Sequence, residues 1–186
     1  MKIVFGGLLI VALLACQPRA CSDTSSSSSS SFDIDQFQFS KKIMQDLEFF
    51  TNLPHAFGSM RQAQVAGYIQ KRGKDLGLKV LTQDFKAMTP NPDLNGPGVL
   101  KLEKSGQNIL WLQKDDSKKP VVLIGSHYDT KNLKNLAYVG ANDSASSSTA
   151  LMSILPYLHK LEPSCHFVGI WFDGEESVLH LSLIHI

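Results

Sequence analysis

The sequence carries a formal net charge of only +1 and three cysteines. With so balanced a charge, and no basic stripe interleaved with aromatics, it has no electrostatic footprint for nucleic acid. An odd cysteine count makes no closed disulfide framework. Of the three, Cys16 and Cys21 sit near the N-terminus, and Cys165 precedes an apolar stretch where it reads as a small buried hydrophobe. No G-x-S-x-G elbow is present, so a serine hydrolase lacks its nucleophile. No G-x-G-x-x-G or P-loop appears, so nucleotide binding has no anchor. The apolar run "IVFGGLLIVALLA", residues 3–15, is too short to span a bilayer comfortably.

What is present suffices for one core. At 186 residues and 43% hydrophobic, the chain fits roughly one domain of ~100–200 residues. Lys2 followed by the apolar run makes residues 1–15 a signal peptide, outside the fold. The run ends in Leu13-Leu14-Ala15-Cys16, which resembles a bacterial lipoprotein box with Cys16 as the lipidated residue. The expectation is export, either lipid-anchored in a bacterial cell envelope or plainly secreted; the mass of the mature N-terminus distinguishes them. Any membrane association would run through that anchor. Residues 16–31, with the tract "SDTSSSSSSS", form a Ser-rich tether that buries nothing.

The folded part begins near Phe32. Ile43, Leu47 and Phe50 recur at helical spacing over residues 40–53, with Ser40 as N-cap. A second helix follows Ser59, its apolar stripe being Met60, Ala63, Ala66, Ile69 and Leu76, and Gly77 ends it. "LKVLTQDF" alternates like a half-buried strand, and residues 87–98, rich in Pro, Gly and Asn, read as a loop. "NILWLQ", "PVVLIGSHYD" and "HFVGIWFD" are strands, the second nearly continuous in apolar residues as a central, doubly covered strand would be. "SASSSTALMSILPYLHKL" is a helix that Pro156 kinks or splits. This order predicts an α/β layered sheet with helices on both faces.

Chemistry-bearing residues gather at the predicted strand ends, where open α/β sheets form their sites. "GSHYDT" presents His127 and Asp129, "GANDSAS" presents Asp143, and "WFDGEES" presents Glu175 and Glu176. Each alone has an ordinary explanation: a loop-holding Asp-His pair, a helix N-cap, a solvated acidic face. Together, oxygen and nitrogen donors of this kind suit a divalent metal, zinc above all.

The set resembles the zinc-dependent aminopeptidases and their relatives the glutaminyl cyclases, from about residue 40 to about 180, and the form Phe172-Asp-Gly-Glu-Glu176 is more like the cyclases. The resemblance implies a three-layer sandwich, a mixed twisted central sheet with helices on both faces. It implies Asp143 and Glu176 as zinc ligands and Glu175 as the catalytic acid/base. His127 would bind a second metal in a dinuclear enzyme, and Asp129 would orient the His127 imidazole. One Zn²⁺ is implied for a cyclase and two for an aminopeptidase, with peptide or protein N-termini as substrates. Zinc would offset the repulsion between the adjacent carboxylates. A metal-free, non-enzymatic domain is the third alternative.

The same resemblance leads one to expect a further zinc-binding His downstream. His180 and His185 follow Glu176 too closely to be assigned that role, and Leu181 stands where a cyclase would carry Trp. Residues 32–180 therefore read as the N-terminal part of a catalytic domain. Residues 181–186, "LSLIHI", resemble translated adapter sequence, a foreign tail. The polypeptide as written is expected to be inactive.

Overall fold

The computed structural model describes residues 36–90, 101–113, 118–133, 135–160 and 164–177. The expected signal peptide, the expected tether with Cys16, and the expected foreign tail fall outside the described residues. The elements are α1 (Gln36–Thr51), α2 (Met60–Asp75), β1 (Lys79–Pro90), β2 (Lys101–Leu112), β3 (Val121–His127), an irregular helical turn (Ala141–Ala145), α3 (Ser146–Lys160) and β4 (His166–Phe172). The strands form one mixed sheet in the order β1-β2-β4-β3. β1 pairs antiparallel with β2 and β2 antiparallel with β4, whereas β3 and β4 run parallel. A parallel pair needs a crossover, and α3 supplies it. None of the described helices is long and apolar enough to cross a membrane.

One core receives all three helices. Phe50 of α1, Val65 and Ile69 of α2, and Leu151, Met152 and Leu155 of α3 pack with Ile109, Trp111 and Trp171 of the sheet. Each such side chain removed from water contributes roughly 1.5–3 kcal/mol. The two Trp rings lie 4.5 Å apart between centroids. On the opposite sheet face Val168 and Ile170 are buried, whereas Leu81 of β1 and Val121 at the start of β3 are 42% and 52% exposed. The second helical layer of the expected sandwich is not among the described residues.

Several sequence expectations are corrected. α1 starts at Gln36, so Ser40 lies inside the helix and does not cap it. Phe39 accounts for the longer helix, since its ring meets Tyr157 of α3 edge-on at 5.6 Å. In α2 the buried stripe is Gln62, Val65, Ala66, Ile69 and Gly73, whereas Met60 is 87% exposed and Ala63 faces solvent. The helix is rotated because Gln62 points inward to polar partners, a face that apolar spacing alone does not reveal. Its ends agree with expectation: the Ser59 hydroxyl accepts from the Gln62 N–H at 3.1 Å, and Gly77 follows the last turn.

β1 continues to Pro90, so residues 87–90 are strand and not loop, with Ala87 and Thr89 buried. Its partner β2 likewise begins at Lys101, ahead of Asn108. β3 is an edge strand among the described residues, not a central one. α3 runs through Pro156 unbroken, held by its packed face. Cys165 is buried, as expected of a small hydrophobe, but it is disulfide-bonded. An odd count forbids complete pairing only; it does not forbid one bond.

Candidate metal centre and active site

Parallel pairing sets His127 opposite Phe172, so β3 and β4 release their chains at the same sheet edge. β3 ends in His127. β4 runs into Asp173, then Gly174 at φ +76°, which swings Glu175 and Glu176 back over the edge. That φ is open to glycine and strained for other residues. The third segment comes from the turn before α3. There Gly140, at φ +63°, is crowded as well: a Cβ would lie 2.6 Å from the Asp143 carbonyl oxygen. The Asp143–Ser144 peptide is cis.

The structure brings the predicted residues together. His127 Nε2 lies 2.9 Å from Asp143 Oδ1 and 3.9 Å from Glu175 Oε2. Ligand atoms of His127, Glu175 and Glu176 all fall within 4.8 Å of one another. Asp143 joins this group through His127. His127 Nδ1 faces the Asp129 backbone oxygen at 3.1 Å. With Nδ1–H donating there, Nε2–H of the protonated ring donates to Asp143; a bound cation would take the place of that Nε2 proton. Burial lowers the His127 pKa, but Asp129, Asp143 and Glu175 outweigh it and push it up to about 9. A cluster that draws a proton onto an imidazole this strongly favours positive charge, and its N and O donors fit zinc.

Asp129 lies beside the His127 imidazole, as expected, and carries a further task that the sequence did not announce. Its carboxylate is 3.6 Å from His127 Nδ1, farther than its own backbone oxygen. The two carboxylate oxygens also accept from the main-chain N–H groups of Glu175 and Glu176, each at 3.0 Å. One buried carboxylate therefore fixes the backbone of both glutamates while adding charge behind the imidazole. The next residue anchors this loop to the α1–α2 connection. Thr130 Oγ1 accepts from the His55 N–H at 2.9 Å, the Thr130 N–H donates to the His55 carbonyl at 3.2 Å, and Ala56 bridges to Thr130.

Three contributors were not recognised from sequence. Asp173 is fully buried beneath the turn. Its Oδ2 accepts from the Gln107 N–H at 2.9 Å and from the Gln62 amide, while its own N–H donates to Asn108 Oδ1 at 3.0 Å. Burial, then the charge of Asp129, pushes its pKa up to about 8. These bonds hold β2 to β4 just past their last ladder pair, Ile109–Trp171. The signal was an acid ending an apolar strand one Gly before the Glu pair. Gln62, on the inward face of α2, also donates to the Tyr128 hydroxyl at 3.0 Å. Lys131, the third, pairs with Glu176 at 3.0 Å, and no sequence pattern marked it.

Comparison with known proteins fits this geometry. The chain has the zinc aminopeptidase-like fold, shared by glutaminyl cyclases and zinc exopeptidases. Residues 108–183, which hold every residue of the centre, match Peptidase family M28. Among solved structures, a Fimbriiglobus ruber glutaminyl cyclase aligns at 20% identity and TM-score 0.63, covering 85% of this chain and 51% of that one. A Bacteroides thetaiotaomicron leucine aminopeptidase precursor aligns at 23% identity and TM-score 0.57, covering 76% and 48%. A Parabacteroides distasonis Zn-dependent exopeptidase aligns at 20% identity and TM-score 0.57, covering 77% and 48%. The chain thus spans about half the length of these structures. No curated protein matches the sequence.

Proposed function

We propose that the protein is a zinc-dependent glutaminyl-peptide cyclotransferase, closing an N-terminal Gln into pyroglutamate with release of ammonia. The observation that carries this reading is the Asp129 clamp, which fixes Glu175 and Glu176 side by side next to His127 and Asp143. Asp143 and Glu176 would hold zinc, which when bound polarises the substrate's side-chain amide carbonyl.

The remaining work falls to the protein's own groups. Glu175 accepts a proton from the α-amine as that nitrogen bonds to the side-chain amide carbon. It returns the proton to the amide nitrogen, and the carbon–nitrogen bond breaks to release ammonia. His127 and the Asp129 clamp hold this carboxylate at the reacting carbon. The likeness to several glutaminyl cyclases and the F-D-G-E-E form support the reading.

A Gln-initiated peptide incubated with the zinc-loaded full-length protein should lose ammonia without chain cleavage, as read by mass spectrometry. Glu175→Gln should lower kcat by about 10²–10⁴-fold, the usual share of general acid–base transfer, with zinc content retained. Unchanged turnover in that variant would end the proposal.

The second reading is a dinuclear zinc aminopeptidase. It is favoured by His127 Nε2 facing Asp143 at 2.9 Å, the pair that a bridging carboxylate and a second-metal ligand would form. Glu175 would then take its proton from water, and free amino acid would be the product.

A further inference from the structure

Beside Glu176 the protein has a cleft that the chemistry above leaves unused. Its walls come from three places: the α1–α2 connection (Ala56, Phe57), β2 (Lys104), and the loop after β3 (Lys131, Asn132, Leu133). Two neighbouring pockets share these walls, one of about 430 Å³ and one of about 210 Å³ that reaches Glu176. Glu176 is the one acidic residue lining either part among the described residues, against the two lysines.

Both lysines are placed to act on a bound anion. Lys131 is 55% exposed and pairs with Glu176 at 3.0 Å. When Glu176 shares its charge with a divalent cation, its hold on this ammonium weakens, and the ammonium faces the cleft. Lys104 spans the other wall and donates to a neutral acceptor, the Phe57 carbonyl, at 3.0 Å. Its full positive charge is therefore not cancelled by that contact. Leu133, 40% exposed, offers apolar contact on the rim. A peptide whose first residue reacts at Glu175 has its second residue about 3.3–3.6 Å farther along an extended chain. Glu176, which directly follows Glu175, lines the smaller pocket, so this cleft lies next to the reacting centre.

We propose that this cleft receives the second residue of the substrate peptide and prefers an acidic side chain there, through Lys131 and Lys104. The proposal rests on the cyclase reading for the identity of the first residue only.

The test compares three peptides that begin with Gln and differ only in carrying Glu, Ala or Lys at the second position. With the zinc-loaded full-length protein, kcat/KM should fall in the order Glu, Ala, Lys. Exposed ion pairs of this kind give roughly two- to five-fold per step, and salt should shrink the differences. Lys131→Glu, with zinc content checked, should reverse the order of the Glu and Lys peptides. Lys104→Met should narrow it. Equal rates for the three peptides, or an order that Lys131→Glu leaves unchanged, would overturn the proposal. If no Gln peptide turns over, the cyclase reading fails, and the same peptides with a C-terminal fluorophore are measured by anisotropy. The same ranking of Kd then supports the cleft's preference, and equal Kd values reject it.

Discussion

A single carboxylate, that of Asp129, accepts from two successive main-chain N–H groups and so sets where both glutamates point. Asp129→Ala would leave those donors without an acceptor in a part-buried turn. Hydrogen bonds to charged groups contribute about 1.5–3 kcal/mol each, so the urea midpoint should drop clearly. Asp129→Asn keeps one acceptor oxygen and should fall between wild type and Ala. At this scale the sequence was legible where chemistry and position coincide. His127, Asp143, Glu175 and Glu176 all follow predicted strands or precede a predicted helix. Asp173 and Lys131 were not, because their roles depend on what they face. Asp173 lies under Gly106, where a Cβ would sit 2.9 Å from its Oδ2, and nothing in the local sequence announces that approach.

Helix α2 shows how one element can carry two opposite answers to the same substitution. Gly67 is exposed, and a Cβ there meets nothing within 4 Å. Gly67→Ala should therefore raise stability by about 0.5–1 kcal/mol through helix propensity. At Gly73 a Cβ would lie 2.6 Å from Trp111 Nε1 and 2.8 Å from Val80 Cγ2. Gly73→Ala gains the same propensity but overpacks a fully buried indole, at a cost of about 1–3 kcal/mol. The net effect should be destabilising, and thermal melts of the two variants should move in opposite directions. The helix itself was readable from its cap and its length. Its rotation was not, because the inward position is taken by Gln62, whose hydrogen bonds replace hydrophobic burial. The long β1–β2 hairpin was cut short for a similar reason, since Pro, Gly and Asn after residue 87 outweighed a faint alternation of Ala87 and Thr89.

At the scale of the molecule, the fold assembles an acid-rich centre from residues 127 to 176 on a scaffold begun by α1 and α2. A ligand that binds only the folded state stabilises it by mass action, about 2.7 kcal/mol at a hundredfold excess over Kd. Added zinc should raise the melting temperature of the full-length protein, and a chelator should reverse the gain. Glu176→Gln should blunt the response; an equal shift in that variant would remove Glu176 from the ligand set. The element order was legible, because strand and helix periods differ plainly here, whereas the mixed sheet was expected from the family resemblance alone. The seam between Thr130 and the connector at His55 and Ala56 joins stretches 75 positions apart. Local opening on either side must break the same bonds, so the two behave as one cooperative unit. The acidic turn thus inherits part of its rigidity from a connector distant in sequence, and drift in that connector would loosen the centre without altering any of its donors.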